Sequence, residues 1–457
     1  MTNKLRKQIW LFVLELILVI LNTAVFMYIW FHFYYARVYI EPFWDKGNYM
    51  VIAVFLVLYC LFAHLYGVFD LMMSRISALI YSNLIAVIMT SFFMYILSWL
   101  LIRHLPSVWP LLLDMAISIA LSVPWAYFSV HAIRRLIPPY KILLLYDNEA
   151  ARANGEEIIA KTPWRLQMLG QIEVGEDADR ALDAIRKEKA EAVMICGVHS
   201  STRNTILKYC VDHDVTAFVR PNIGDYLVNS AEDLQLANLP VMLCRRSEPG
   251  LVYMVGKRFF DIVFGLLGFI VFSPFMLVAA IAIKAYDRGP ILYKQVRLTK
   301  DRKKFYVYKF RSMKVDAEKD GVARLSSKGD DRITPVGKFI RATRIDEMPQ
   351  IFCILKGDMS IVGPRPERPS IAAEYEKEMP EFALRLQVKA GLTGYAQVFG
   401  KYNTEPYDKL QMDLRYIARQ SFVTDLMIIF ATIKILFMPE STEGVEQGQT
   451  TARRTGQ

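Results

Sequence analysis

The sequence predicts a membrane protein in three parts. These are an N-terminal four-helix transmembrane bundle, a degenerate Rossmann-like α/β middle domain, and a C-terminal, mostly α, monotopic domain with a re-entrant helix hairpin. Three observations predict this. Four apolar runs lie within residues 1–135; short strand-like runs alternate with helical ones across 136–250; and residues 262–283 carry no charge, with basic residues on both sides and Ser273-Pro274 at the middle. The C-terminal domain is expected over 251–439, followed by a polar tail, 440–457, expected to be disordered.

Composition narrows the class. Of 457 residues 54% are hydrophobic and 13% aromatic, and the mean hydropathy is +0.24, too apolar for an ordinary soluble chain. The net charge of +10 suits anionic partners: nucleic acid, an anionic membrane face or phosphorylated small molecules. Nucleic acid is disfavoured, because no binding module appears and the aromatics lie mainly in apolar runs. Cys60, Cys196, Cys210, Cys244 and Cys353 are odd in number and lack CxxC spacing. They read as reduced and mostly buried, not as a disulfide framework or zinc site. Six histidines without an HxxxH or HExxH pair argue against a histidine metal site or a Ser-His-Asp triad.

Taken in order, the apolar runs at 9–33, 49–67, 76–102 and 108–130 each reach the ~20 residues that span a bilayer. No small-residue cleavage site follows the first, so it reads as retained. Lys4, Arg6 and Lys7 at one end and Arg134, Arg135 and Lys141 at the other place both ends on the cytoplasmic side. Arg75 falls in the inner loop, and Arg103 with His104 is the minor exception. Glu15 and Asp114 are the charges that need a segment end or a neighbouring helix.

Residues 142–146, 192–196 and 215–219 read as short buried strands separated by helical patterns. The first strand leads into Asp147-Asn148-Glu149 and not into a GxGxxG turn, so close backbone approach to a pyrophosphate is not expected. A structural, regulatory or oligomerisation role fits better than cofactor binding.

The uncharged stretch 262–283 has Lys257 and Arg258 before it and Lys284 and Arg288 after it. A crossing helix would put one basic cluster outside. Proline removes a backbone hydrogen bond and bends a helix, and a neighbouring hydroxyl helps satisfy the freed group. Ser273 and Pro274 therefore predict a helix–break–helix hairpin that returns to its own side. Next, residues 284–315 hold eleven Lys/Arg against Asp287 and Asp301, interleaved with Tyr293, Phe305, Tyr306, Tyr308 and Phe310. That suits an interfacial patch for lipid headgroups, with Lys257 and Arg258 at the same interface.

Thr334-Pro335 predicts a helix start, with Arg341 and Arg344 near its end. Pro349 then places Asp346 and Glu347 at the N-terminus of a second helix, and Gly357 ends it. Acids at a helix start are ordinarily dipole partners. Here Arg341 and Arg344 supply phosphate-binding forks, and Arg365 is fixed between Pro364 and Pro366. Such an arrangement suits phosphoryl transfer, with an Asp nucleophile or a Mg²⁺ ligand.

Residues 256–439 resemble the bacterial sugar transferases, the monotopic phosphoglycosyl transferases of the polyprenol-phosphate hexose-1-phosphate type. The matching pieces are Lys257-Arg258-Phe-Phe-Asp261, Ser273-Pro274, Lys309-Phe-Arg311-Ser-Met313, Asp346-Glu347-Met-Pro349-Gln350, Lys356-Gly357-Asp358-Met-Ser360, Gly363-Pro364-Arg365-Pro366 and Gly391-Leu-Thr-Gly394-Tyr-Ala-Gln397. The four spans and middle domain resemble the large form that begins capsule or exopolysaccharide synthesis. The resemblance implies that Asp346 attacks the β-phosphate of a UDP-sugar, forms an aspartyl-phosphosugar and releases UMP. Undecaprenyl phosphate then takes the sugar phosphate. Glu347 assists as Mg²⁺ ligand or as base, and Arg311, Arg341 and Arg365 contact phosphate or nucleotide. It also implies UDP-glucose or UDP-galactose as donor, with an N-acetylated sugar as the alternative, membrane lipid as a partner, a bacterial inner-membrane location with a cytoplasmic catalytic face, and room for a homodimer. Many relatives carry a hydroxyl residue where this chain has Arg344, so Thr343 is expected to cap instead; Met348 stands where Leu is usual. The rival readings are a glycosyltransferase that releases UDP, for which a DxD motif is missing, and a non-catalytic membrane scaffold.

Overall fold

The structure, a computed structural model, describes residues 3–35, 46–72, 74–102, 104–175, 177–246, 249–315, 330, 332–400 and 405–436. Arg103 and the tail 440–457 lie outside the described residues. The chain divides into two compact units, Met1–Arg220 and Pro221–Gln457.

In the first unit, α1 (Asn3–Ile29, continued by a π turn at Trp30–Tyr34), α2 (Lys46–Leu65), α3 (Ile76–Ile102) and α4 (Trp109–Leu136) pack each on the next, and α4 closes on α1. All four are long and apolar enough to cross a membrane. Their polarity is inverted relative to a soluble protein. Outward residues such as Phe12, Met50 and Leu100 are exposed, whereas Asn22, Asn48, Asn83 and Asp114 are fully or almost fully buried. Inside, Asn22 Nδ2 donates to Tyr59 OH (3.1 Å) and Tyr59 OH donates to Asn83 Oδ1 (2.6 Å). Trp30 Nε1 donates to Asn48 Oδ1 (2.8 Å), and Trp125 Nε1 to the Leu14 carbonyl (2.8 Å). Where no water reaches, side-chain bonds between helices replace it.

A parallel sheet follows in the order β2-β1-β3-β4. Its elements are β1 (Tyr140–Tyr146), α5 (Glu149–Lys161), β2 (Leu166–Glu173), α6 (Asp179–Lys187), β3 (Ala192–Cys196), α7 (Ser200–Asp212) and β4 (Thr216–Val219). Leu143, Leu145, Val193 and Ile195 face α6 and α7, while Ile142, Leu144, Ala192 and Met194 face α5. Both faces are covered, which is why β1 and β3 are apolar without alternation. Edge strand β2, mostly exposed, carries no such signal.

The second unit begins earlier than residue 251. Helix α8 (Ile223–Asn229) packs its Ile223 and Tyr226 into the C-terminal core, and a hairpin of β5 (Glu232–Leu236) and β6 (Leu239–Leu243) follows. Then come α9 (Leu251–Asp287), the antiparallel pair β7 (Leu292–Leu298) and β8 (Lys304–Phe310), α10 (Pro335–Ala342), a 3-10 turn at Ile345–Gln350, and α11 (Ile351–Lys356). The unit ends with β9 (Ser360–Val362), α12 (Pro369–Glu378), β10 (Gly391–Thr393), α13 (Tyr395–Phe399), α14 (Pro406–Ala418) and α15 (Phe422–Leu436). The expectation of a mostly helical C-terminal part is met. All five cysteines are unpaired; Cys196, Cys210 and Cys353 are buried and Cys244 is exposed.

Helix α9 is also long and apolar enough to cross a membrane. It runs as one 37-residue helix with Pro274 inside it, which corrects the expected pair of helices separated by a break. The reason is local. Pro274 cannot donate to the Ile270 carbonyl, and Ser273 Oγ donates to that same carbonyl at 2.9 Å, so the helical path survives the proline. Around this point Ile270, Val271 and Phe275 are exposed, whereas Asp261 and Gly265 before it and Met276, Ala279 and Ile283 after it are buried. Arg258 donates to the Ile354 and Leu355 carbonyls (both 2.6 Å), meeting the free end of α11. Asp261 Oδ1 accepts from Ile361 N (2.9 Å) and Ser360 Oγ (3.0 Å). On the other side of the proline, Met276, Ala279 and Ile283 pack with Phe310 and Ile340.

Candidate functional site

The helix start at Thr334-Pro335 forms as expected: Thr334 Oγ1 accepts from Gly337 N (2.9 Å), with Pro335 in the first turn. The second start differs. Thr343 Oγ1 donates back to the Phe339 carbonyl (2.9 Å), so it caps nothing ahead of it. Arg344 takes the cap position with a left-handed backbone, φ 58°. The chain then winds as a tight 3-10 turn through Ile345–Gln350 before α11 begins, and Gly357 ends α11 at φ 97°. Asp346 and Glu347 therefore sit in a 3-10 turn ahead of the α-helix and not in its first α turn.

This turn is two-faced. Ile345 and Met348 pack on Met276, Ala279 and Ile283 of α9 and on Phe310 and Ile340. Asp346 is 9% exposed. Glu347 Oε1 accepts from both Lys309 Nζ and Arg365 Nη2, each at 2.7 Å. The two carboxyls respond in opposite directions. Burial and then the neighbouring Glu347 charge raise Asp346 above the ordinary Asp range, against Lys309, Arg341 and Arg344. Burial also works to raise Glu347, but Arg365 and then Lys309 outweigh it and hold the group well below the usual range. The two adjacent acids are thus held at different proton affinities by different surroundings.

Arg365 reaches Glu347 because its loop is gripped. Gly363 N donates to the Thr393 carbonyl and Gly391 N to the Pro364 carbonyl, both at 2.9 Å. The backbones touch so closely that a Cβ on Gly363 would lie 2.4 Å from the Lys389 carbonyl oxygen. One on Gly391 would lie 2.1 Å from Gly363 N. Pro366 receives Arg297 Nη1 on its carbonyl (2.9 Å).

The remaining sequence-predicted residues divide. Arg341, in the last turn of α10, adds its field to Asp346. Arg311 goes elsewhere: its buried guanidinium pairs with Asp287 at the end of α9 and lies against Gly289. Lys257 and Arg258, expected at the lipid interface, are committed to protein partners. Lys257 Nζ pairs with Asp425 (2.6 Å) and Tyr416 OH (3.1 Å), and Arg258 holds α11. Ser273 and Pro274 lie on α9, in the stretch between its two buried segments. Lys309 was not singled out as a site residue, although its signal was present. In β8 Phe305 and Val307 are buried between exposed neighbours, and Lys309 falls on the same inward phase. Among the described residues no group of three or more His, Cys, Asp or Glu side chains forms a metal cluster.

A carboxylate pair amid fixed cations, seated on a helix apolar enough for a membrane, defines a membrane-associated domain suited to anionic groups. The family model for bacterial sugar transferase matches residues 252–439. Over 190 residues the chain is 38% identical to the UDP-glucose:undecaprenyl-phosphate glucose-1-phosphate transferase of Caulobacter vibrioides, covering 40% of this chain and 71% of that protein. The chain belongs to the bacterial sugar transferase family. It is 40% identical over 191 residues to the UDP-N-acetylgalactosamine-undecaprenyl-phosphate N-acetylgalactosaminephosphotransferase of Aeromonas hydrophila, covering 41% of this chain and 45% of that protein. It is 38% identical over 218 residues to the UDP-glucose:undecaprenyl-phosphate glucose-1-phosphate transferase of Klebsiella pneumoniae, covering 47% of each. The match thus spans less than half the length of the last two relatives.

The glycine contacts yield a test. Gly363→Ala should lower the thermal unfolding midpoint, by about 1–3 kcal/mol of stability, because backbone must move to admit the methyl group. Gly224→Ala, where a Cβ meets nothing within 4 Å, should leave it unchanged or raise it. Equal midpoints for the two variants would remove the close-approach account.

Proposed function

We propose that the protein transfers a hexose-1-phosphate from a UDP-sugar to undecaprenyl phosphate and releases UMP, at the first membrane step of capsule or exopolysaccharide synthesis. The observation that carries this is the split pair: Glu347 pinned by Lys309 and Arg365, with the buried Asp346 beside it. Asp346, the carboxylate with the raised pKa, is the better nucleophile. Its oxygen attacks the β-phosphorus of the UDP-sugar, the P–O bond to the α-phosphate breaks, and UMP leaves with that oxygen. An oxygen of undecaprenyl phosphate then attacks the same phosphorus, which returns Asp346 to the carboxylate and gives undecaprenyl-diphospho-sugar. Lys309, Arg341 and Arg365 offset the charge that gathers on the phosphates. A carboxylate held as low as Glu347 is a poor base, which favours the electrostatic role for it.

Among the described residues no third acidic side chain groups with Asp346 and Glu347, and such a pair suits Mg²⁺, which binds through one or two carboxylates and takes its other ligands from phosphate and water. Asp346 and Glu347 would hold it, and it would supply neutralisation of the diphosphate. The donor sugar is taken as glucose or galactose, with an N-acetylated sugar as the neighbouring choice that one relative's name suggests.

Four apolar helices with cationic ends fit a transmembrane bundle in the inner membrane, with the catalytic unit on the cytoplasmic face. The parallel sheet with helices on both faces fits a Rossmann-like domain. Helix α9, continuous through Pro274, fits a re-entrant segment bent at that proline, because both of its ends are tied to the same unit. Outward Tyr306 and Tyr308, with Lys294 over the Tyr306 ring, fit contact with lipid headgroups. The exposed β5–β6 hairpin, with Leu236, Leu239 and Met242 on its surface, fits a homodimer contact.

Purified protein with Mg²⁺, undecaprenyl phosphate and a panel of UDP-sugars should release UMP, and Asp346→Asn should reduce that by about a thousandfold or more. Release of UDP, or full activity in Asp346→Asn, would sink the mechanism. In Lys309→Met both carboxyls lose a cation that lowers their pKa, so activity should fall away at higher pH on acidification than in the wild type. An unmoved acidic limb would remove Lys309 from the pair's electrostatics. Cysteines near the two ends of the apolar stretch, at the exposed Ile262 and Tyr286, should label from the same, cytoplasmic side; labelling from opposite sides would make α9 a crossing helix.

A further inference from the structure

The carbonyls from Pro364 to Glu367 are all held. Gly391 N donates to Pro364 O (2.9 Å), Arg385 Nη2 to Arg365 O (2.9 Å), Arg297 Nη1 to Pro366 O (2.9 Å) and Leu298 N to Glu367 O (3.0 Å). The two arginines are themselves tied together beneath the loop. The Glu367 carboxylate takes Arg385 Nη1 at 3.6 Å, Arg297 Nη1 at 3.7 Å and Lys409 Nζ. Asp413 Oδ2 takes Arg385 Nη2 at 2.7 Å. Arg385 is 2% exposed and Asp413 1% exposed. Among the described residues, none of these five side chains makes a hydrogen bond or ion pair with Asp346 or Glu347, so the proposed chemistry does not use them directly.

Buried ion pairs are poor sources of stability, since well-packed apolar replacements are often neutral or better. What such a network supplies is fixed geometry, and here it converges on the backbone of one residue. We infer that Arg385 and Glu367 are positioning residues that set the Arg365 backbone and so place its guanidinium on Glu347. Arg385 grips the Arg365 carbonyl directly. Glu367 is the hub that keeps Arg385 and Arg297 at adjacent carbonyls, with Lys409 and Asp413 balancing the charge. The loop's two prolines remove most other ways for Arg365 to adjust, so a shift at its carbonyl passes to its side chain.

The inference rests on the proposed function for its first readout. A double-mutant cycle in the full-length protein compares UMP release by wild type, Arg365→Ala, Arg385→Gln and the double variant. Arg385→Gln should lower kcat by about tenfold to a hundredfold in the wild-type background. It should cost less than about twofold once Arg365 is already Ala, since residues acting through one another are non-additive. Equal losses in both backgrounds would mean a merely structural role and overturn the inference. Arg385→Gln leaves Asp413 unpaired, so Arg385→Gln/Asp413→Asn, which removes both charges, is run through the same cycle where the single variant folds poorly. If the wild type releases no UMP from any donor, the functional reading fails on its own. The cycle is then read in thermal midpoints, where strictly additive losses for Arg365 and Arg385 would likewise overturn the positioning role.

Discussion

A single carboxylate oxygen, Glu347 Oε1, joins three stretches of chain that are distant in sequence. Lys309 reaches it from β8, Arg365 from the loop after β9, and its own turn rests on α9. Such a shared acceptor is costly to disturb, because removing one partner of a half-buried cluster leaves the others uncompensated. The result is a cationic floor whose geometry is set before any anion arrives. Preorganised charge of this kind needs no rearrangement when substrate charge develops, which is where its value to phosphoryl chemistry lies.

That floor carries more positive charge than its one strongly ionised acid can neutralise. Glu347 satisfies Lys309 and Arg365 together, while Arg341 and Arg344 still act on the buried Asp346. The surplus is the electrostatic reason an anion would settle here. It also keeps two neighbouring acids from titrating alike. One stays ionised as a fixed part of the wall, and the other keeps a raised proton affinity, which fits the nucleophilic role proposed for it.

Much of this was legible in the chain, and the misses share a cause. Thr334-Pro335 and Gly357 were read correctly because capping is local chemistry. The strands β1 and β3 were read because both their faces are buried. The hairpin β7–β8 was passed over as a belt of charge, although Phe305 and Val307 alternate with outward residues; the eye follows the Lys and Arg and not the period. Lys309 was missed for the same reason. Arg344 was unreadable, since the left-handed residue that follows a helix C-cap is usually glycine and an arginine there carries no such signal. The inward turn of Lys257 and Arg258 was equally hidden, because a basic flank looks the same whether it meets lipid or the free end of α11. The roles of Gly363 and Gly391 could be suspected singly, but their contact with each other lies beyond any local pattern.

The bond from Ser273 Oγ to the Ile270 carbonyl has a hereditary side. Proline strips that carbonyl of its donor, and in a hydrocarbon setting an unsatisfied carbonyl costs several kcal/mol. The hydroxyl one residue earlier replaces what the proline removes, so the two side chains form a compensating couple. A descendant that lost the serine would carry the defect uncovered, and one that lost only the proline would keep a hydroxyl with nothing to mend. Substitution at this point of α9 is therefore ordered, and a viable path between sequences loses the proline before the serine or together with it.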